Sequence, residues 1–343
     1  MARADIGLGN WFTRRVMQTP DRPALTFEGA TRSYREMGNA IDRLATALRA
    51  GGVCRGDRVA FLGVNQPVYF DLLFAAARLG AIFVPLNFRL TGPELDYIIN
   101  DAGVHTLVVD APHRPIIDGI RSGLCCRRFL SADAPADGWQ TVAQFVGDSA
   151  PLGQGEPTAD DDVAVIMYTS GTTGRPKGAM LTHGNFWWAN INGALGADVS
   201  EKDVSLVMAP LFHIGGLNVT PLSCWQKGGH VLLHRSFDPG RFLADVAGYR
   251  VTTSFAVPAM LLFISQHADF ASADLSSLRV IMCGGAPVPE PLLRLYAARD
   301  IPLTQGYGLT ETAPSGTYLG PDFALAKLGS AGKPMFFVDL KIV

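Results

Sequence analysis

Between Arg58 and Asp110 the chain repeats a pattern that few folds can satisfy. Short, nearly continuous apolar runs, "RVAFLG" (58–63), "AIFVPLN" (81–87) and "TLVVD" (106–110), alternate with segments of helical spacing. A strand buried on both faces needs such a run, so the alternation predicts an α/β fold with mostly parallel sheets covered by helices on both sides. The pattern resumes with "AVIMYTS", "SLVMAPL", "HVLLHRSF", "TTSFAVP", "RVIMCGG" and "IPLTQGYG". Ser33 and Glu36 have the spacing of a capping box; Met37, Ile41, Leu44 and Leu48 follow at helical intervals, and Gly51-Gly52 ends the run. The longest apolar stretch, 71–86, contains Asp71 and Arg78 and is too short for a membrane span. It reads as a helix, a stop at Gly80 and a buried strand.

A polar stretch, "GDSAPLGQGEPTADDD" (147–162), interrupts the alternation. It reads as a connection between two units, with a long surface loop as the alternative. On the first reading, 1–160 is one αβ subdomain, 161–327 is a second that carries a phosphate loop and an acyl pocket, and 328–343 opens a β-rich subdomain. At 343 residues, two units of ordinary size are expected. With 48% hydrophobic and 17% charged residues, the chain is too apolar for disorder. A net charge of −2 without a basic cluster argues against a nucleic-acid partner. The five cysteines (Cys54, Cys125, Cys126, Cys224, Cys283) form no CxxC or Cys/His spacing, which argues against a disulfide frame or structural zinc and for a reducing, cytoplasmic setting. The N-terminus lacks the apolar core of a signal peptide. No transmembrane segment is expected, which leaves room only for peripheral membrane contact.

The stretch "YTSGTTGRPKG" (168–178) follows an apolar strand and precedes the helix expected near His183. Its glycines allow the backbone to approach an anion. Thr169, Ser170, Thr172 and Thr173 offer hydroxyl donors, and Lys177 offers a positive charge. Together they suit a phosphate grip; a small-residue surface turn has the same composition. A Walker-type loop is disfavoured, because counting from Gly171 places Pro176 where the second glycine belongs.

The order of these residues closely resembles the phosphate loop of the adenylate-forming superfamily, which includes acyl- and aryl-CoA synthetases, luciferase and nonribosomal peptide synthetase adenylation domains. "LTHGN" (181–185) continues the resemblance. "LNFRLT" (86–91), "PLFHIGG" (210–216), "GGAP" (284–287) and "QGYGLTET" (305–312) follow in the family's order. The likeness spans the chain from about residue 10 to its end and is strongest to the N-terminal domain of bacterial fatty-acyl-CoA synthetases.

The resemblance implies an AMP-forming acid–CoA ligase that joins a carboxylic acid, by preference a fatty acid, to AMP from ATP, then passes the acyl group to coenzyme A. Residues Thr169, Ser170, Gly171, Thr172, Thr173, Gly174 and Lys177 would hold the β- and γ-phosphates. Gly284, Gly285, Ala286, Gly306, Tyr307 and Gly308 would receive the nucleotide, with Tyr307 stacking on adenine. Thr310 would donate to the α-phosphate, Glu311 would ligate Mg²⁺, and His213 would border the substrate carboxylate. Phe255, Val257, Met260 and Leu261 could form an apolar wall of the acyl pocket or ordinary core. "GSAGKPMFFVDLKIV" (329–343) matches the opening strand of a β-rich subdomain, and the family's second lysine and mobile C-terminal domain have no counterpart in the sequence. The expectation is therefore an adenylating part impaired in thioester formation. An aryl-CoA ligase and a non-catalytic nucleotide- or acyl-binding module are the alternatives.

Overall fold

The computed structural model describes residues 5–170 and 174–343. Helix α1 (Leu8–Gln18) leads to strands β1 (Pro23–Phe27) and β2 (Ala30–Ser33), then α2 (Tyr34–Ala50). There follow β3 (Arg58–Leu62), α3 (Pro67–Arg78), β4 (Ile82–Leu86), α4 (Gly92–Asp101) and β5 (Val104–Val109). Next come α5 (Arg114–Asp118), β6 (Arg128–Ser131), β7 (Gln140–Thr141), α6 (Val142–Val146), β8 (Val163–Thr169) and β9 (Lys177–Thr182). After α7 (His183–Gly196) lie β10 (Val204–Val207), α8 (Ile214–Asn218), α9 (Pro221–Lys227), β11 (His230–Leu233) and α10 (Pro239–Tyr249). The chain ends with β12 (Thr253–Ala256), α11 (Pro258–Gln266), β13 (Val280–Cys283), α12 (Glu290–Ala297), β14 (Leu303–Gln305), β15 (Thr317–Tyr318) and β16 (Lys333–Pro334). The fold is the expected α/β class with two largely parallel sheets.

Two compact units divide the chain, Met1–Asp21 with Ser33–Trp187, and Arg22–Arg32 with Trp188–Val343. Among the described residues, the first has a sheet of order β7-β6-β5-β3-β4-β8-β9, parallel except for the antiparallel β8–β9 pair. Strand β3 shows why its sequence is continuously apolar. Ala60 and Leu62 join a core with Leu95, Ile98 and Ile99 of α4, while Phe61, 1% exposed, packs edge-on against Tyr69 of α3. Both faces are therefore covered. Outside α3, Phe12 of α1 stacks on Phe74 with ring centroids 4.3 Å apart. Helix α2 begins with the expected capping box: Ser33 N–H donates to Glu36 Oε2 at 2.7 Å, and Glu36 N–H donates to Ser33 Oγ at 3.2 Å.

The unit boundaries differ from the expected 160/161 division. Strands β8 and β9 complete the first sheet, and β1 and β2 extend the second, so sheet pairing carries 163–182 into the first unit and 22–32 into the other. The stretch 147–162 is a surface loop of the first unit rather than a connection. Buried Arg78, paired with Asp42 at 3.0 Å, donates to the Gly153 carbonyl at 3.1 Å, and its own carbonyl accepts from Glu156 N–H at 2.8 Å. A buried guanidinium needs several acceptors, and this loop supplies them.

Strands of the second unit run in the order β14-β13-β12-β10-β11-β1-β2, with parallel pairs from β14 through to β1. One face carries Leu206, Leu232, Ile281 and Leu303 against Phe242, Leu261, Leu293 and Tyr296 of α10–α12. In the second unit, Trp225 of α9 donates its indole N–H to the Ala24 carbonyl at 2.7 Å, fixing β1. Of the strand expected in 329–343 only Lys333–Pro334 forms, pairing Thr317 with Pro334 and Tyr318 with Lys333 in a small antiparallel sheet, and 335–343 are not a strand. Phe337 turns instead against Trp188, ring centroids 4.9 Å apart, with its N–H donated to Asn192. All five cysteines are free thiols, and no helix among the described residues is long and apolar enough to cross a membrane.

His183, 1% exposed at the start of α7, accepts the Leu8 N–H through Nδ1 at 3.2 Å. Burial pulls its pKa down to about 4 from 6.5, so the folded chain keeps it neutral. Between these values the unfolded chain takes up the proton more readily, and stability is lost as pH falls from 6.5 towards 4, by about 3 kcal/mol. His183→Asn should flatten that slope, measured as urea midpoints of the two proteins from pH 7.5 to 4.5. Parallel slopes would mean that the histidine titrates alike in both states.

Candidate functional site

In the first unit, residues 170–176 connect the two strands of a hairpin rather than a strand to a helix. Strand β9 intervenes before α7, pairing Thr169 with Lys177 and Tyr168 with Gly178. Helix α7 then starts on a reciprocal cap, with Thr182 N–H donating to Asn185 Oδ1 at 2.9 Å and Asn185 N–H donating to Thr182 Oγ1 at 3.1 Å. Thr169 is half-buried at the end of β8, Ser170 is exposed, and Lys177 is exposed at the first position of β9. Gly174 has φ +94°, a conformation that favours glycine. Gly171, Thr172 and Thr173 lie outside the described residues.

Gly178 is required by packing: a Cβ there would lie 2.6 Å from Ile166 Cγ2 and 3.2 Å from the Tyr168 ring. Tyr168 in turn donates its hydroxyl to Asp101 at 2.5 Å. Burial, reinforced by the Asp101 carboxylate, holds the phenol well above its ordinary pKa, so it remains a donor. On the outgoing side, Tyr97 donates its hydroxyl to the Pro176 carbonyl at 3.4 Å, and the Arg175 guanidinium lies 5.5 Å from the Tyr97 ring centroid.

In the second unit, the loops after β12, β13 and β14 emerge side by side, because Ala256 pairs with Cys283 and Cys283 with Gln305. The carboxyl ends of parallel strands are where open α/β sheets bind ligands. Gly306 N–H donates to the Cys283 carbonyl at 3.1 Å, and a Cβ on Gly284 would stand 3.3 Å from the Gly306 carbonyl. Gly285, with φ +82°, and Ala286 are exposed beyond it. A Cβ on Gly306 would come within 2.8 Å of the Thr317 carbonyl, and one on Gly308 would overlap the Pro314 carbonyl. These glycines let 305–308 lie flat against 314–319. Tyr307 N–H donates to Thr317 Oγ1 at 3.0 Å, and the Tyr307 carbonyl accepts from Gly316 and Thr317. The Tyr307 side chain is left 51% exposed. Thr310 is half-exposed and Glu311 exposed on the 3₁₀ turn Thr310–Thr312.

His213 is the exposed N-cap residue of α8, its ring 4.4 Å from that of Phe212. Two residues on, a Cβ at Gly215 would meet the Phe255 ring at 2.8 Å, and one at Gly284 would meet the same ring at 3.7 Å. Val257 faces Gly285, 3.5 Å from where its Cβ would be. Leu261 belongs to the core and Met260 packs against it. The four candidate wall residues thus divide: Phe255 and Val257 face the glycine turns, and Met260 and Leu261 serve the core. The "PLFHIGG", "GGAP" and "QGYGLTET" segments converge at one end of this sheet, whereas Thr169, Ser170, Gly174 and Lys177 belong to the other unit.

Sequence reasoning missed two supports. Asn218, 3% exposed at the end of α8, donates to the Ala313 carbonyl at 2.6 Å and so ties the helix after His213 to the turn bearing Glu311. A polar residue ending the apolar run "IGGL" was the available signal. Asp101 lies 67 residues from Tyr168, and nothing local marks it. Among the described residues there is no group of three or more His, Cys, Asp or Glu able to hold a metal.

The sequence profile of the AMP-binding enzyme family matches residues 12–343. A feruloyl-CoA synthase of Amycolatopsis sp is 44% identical over 336 residues, covering 98% of this chain and 66% of that protein. The long-chain-fatty-acid–CoA ligase FadD13 of Mycobacterium tuberculosis is 37% identical over 319 residues, covering 90% and 61%. The crystal structure of the N-terminal domain of FACL13 from Mycobacterium tuberculosis superposes with a TM-score of 0.89 at 34% identity, covering 96% of this chain and 83% of that one. The chain thus spans about two thirds or less of the length of these full-length relatives.

Gly308→Ala should cost about 3 kcal/mol through overpacking. It should also abolish hydrogen-exchange protection across 305–319 while leaving the first unit's protection intact. Retained protection would mean that the loop repacks around the added methyl.

Proposed function

The chain belongs to the AMP-binding enzyme family, and on that premise we propose that it activates a carboxylic acid with ATP, as the adenylating part of an acyl- or aryl-CoA ligase. The observation that carries this reading is the exposed Tyr307–Glu311 loop, laid flat by Gly306 and Gly308 at the carboxyl ends of β12–β14. Tyr307 offers a planar face for adenine, and Gly284, Gly285 and Ala286 offer an uncrowded backbone edge. The Thr310 hydroxyl would donate to the α-phosphate. Glu311 is exposed and is the only carboxylate of "QGYGLTET", and Mg²⁺ bound with a nucleotide commonly takes one or two carboxylates plus phosphate oxygens and water. When bound there, the ion supplies charge neutralisation to the phosphates.

In the first half-reaction a carboxylate oxygen bonds to the α-phosphorus and the bond to pyrophosphate breaks. Both reactants are anions, so donors and cations must be aimed at the phosphates beforehand. Lys177 and the hydroxyls of Thr169 and Ser170 would serve the β- and γ-phosphates, and His213 would border the substrate carboxylate. Transfer to coenzyme A would then follow in the whole protein.

The acid class has two readings. A fatty acid accords with the resemblance of the sequence to bacterial fatty-acyl-CoA synthetases and with the 37% identity to FadD13. An aryl acid is favoured by the 44% identity to a feruloyl-CoA synthase against 37% to FadD13. We take the aryl class as the better supported.

Carboxylate-dependent ATP–pyrophosphate exchange by this 343-residue chain should be at least about tenfold faster with a hydroxycinnamate than with palmitate or octanoate, benzoate serving as the short aryl control. The reverse order would restore the fatty-acid reading, and ATP binding without any exchange would leave a nucleotide-binding module. Lys177→Ala should weaken ATP binding about tenfold or more and AMP binding little, while Glu311→Gln should abolish the Mg²⁺ dependence of ATP binding. Equal losses for ATP and AMP, or unchanged Mg²⁺ dependence, would remove the respective residue from its role.

A further inference from the structure

Helix α4 touches the phosphate hairpin at two points close to Lys177, one on strand β8 and one at Pro176, the residue before β9. On the incoming strand Tyr168, next to Thr169, donates to Asp101 at 2.5 Å. On the outgoing side the Pro176 carbonyl, adjacent to Lys177, accepts from Tyr97 at 3.4 Å. Tyr97 and Asp101 are one turn apart on α4, so their side chains project from one face of the helix. The helix is itself firmly held. Leu95, Ile98 and Ile99 are buried in the core, and Thr91 and Glu94 form its N-terminal capping box. A rigid element thus meets the hairpin at two points that bracket its last cross-strand pair, Thr169 with Lys177.

Packing alone does not call for this arrangement. Tyr168 already fills the space over Gly178 with its ring, and phenylalanine would do the same. The hydroxyl adds a directional bond to a carboxylate, and such charge-assisted bonds are stronger than neutral ones. Asp101 is fixed at the last residue of α4, so the bond sets where β8 leaves the sheet, and the pairing carries that position across to Lys177.

We propose that Asp101 and Tyr97 are positioning residues that hold the hairpin on either side of its Thr169–Lys177 pair and thereby aim Lys177 at the terminal phosphates of a bound nucleoside triphosphate. They touch no ligand and act through Tyr168 and Pro176. The inference rests on the proposed role of Lys177 in triphosphate binding.

The test compares ATP and AMP affinities by calorimetry for the 343-residue chain and its Tyr168→Phe, Asp101→Asn and Tyr168→Phe/Asp101→Asn variants, with thermal unfolding recorded for each. Each single variant should weaken ATP binding about 5- to 10-fold, leave AMP binding within about twofold, and the double variant should be no worse than either single one. Tyr97→Phe, which deletes only the longer bond, should give a smaller loss in the same direction. Loss of ATP and AMP affinity together, additive effects in the double variant, or unchanged ATP affinity despite a lowered Tm would assign the contacts to stability alone. If an Asp101 variant fails to fold, Tyr168→Phe and Tyr97→Phe carry the test unaided. Failure of the unsubstituted chain to bind ATP would instead sink the functional reading on which the inference stands.

Discussion

The second unit depends on one constraint: β12, β13 and β14 are parallel and end at the same level. Ala256, Cys283 and Gln305 are successive partners in the ladder, so the next residues, Val257, Gly284 and Gly306, emerge as neighbours. Three chain segments leaving a sheet about 5 Å apart crowd one another unless some lack side chains. Glycine at 284 relieves that crowding against the Gly306 carbonyl, glycine at 215 relieves it where α8 passes over Phe255, and glycine at 306 makes room for the Thr317 carbonyl. The same absence of side chains leaves an edge of bare backbone. A requirement of packing thus produces a surface suited to a flat ligand.

The first unit solves a different problem with a different pairing. Its sheet is parallel until β8, and β9 then turns back antiparallel. A parallel partner would have needed a long crossover, whereas an antiparallel one needs only a short loop. The lysine therefore stands at the first position of a strand, with its backbone held by pairing to Thr169 and its side chain exposed. Fixed backbone with a free side chain suits a cation that must reach an anionic ligand.

Features that depend on neighbouring residues were legible in the sequence. The Ser33–Glu36 box, the stop after α2 and the apolar runs of β3, β4, β5, β8 and β10–β14 all form where their local patterns place them. What escaped depends on distant partners. Strand β1 is held by β11, with Leu25 opposite Val231, and nothing in "PALTF" announces that sheet. "KGAMLT" has little apolar alternation, and it is a strand because β8 pairs with it. The stretch 147–162 has the composition of a linker, yet buried Arg78 needs its carbonyls, and a need that arises 69 or more residues away leaves no local trace. The candidate site shows the same division: its motifs were readable, and the residues that brace them, Asn218 and Asp101, were not.

The motifs themselves mix two kinds of residue that sequence similarity cannot separate. Gly178, Gly306 and Gly308 are each accounted for by what they touch: an aromatic ring, or a carbonyl that would strike a Cβ. Any protein keeping this fold would need them, whatever its chemistry. Lys177, Tyr307 and Glu311 are different, because their side chains are exposed and contribute little to packing. A half-exposed tyrosine followed closely by an exposed carboxylate, on a loop otherwise dictated by sterics, has no structural reason to be those residue types. The functional reading therefore weighs most on these three, and an intact glycine framework without them would be evidence for the fold alone.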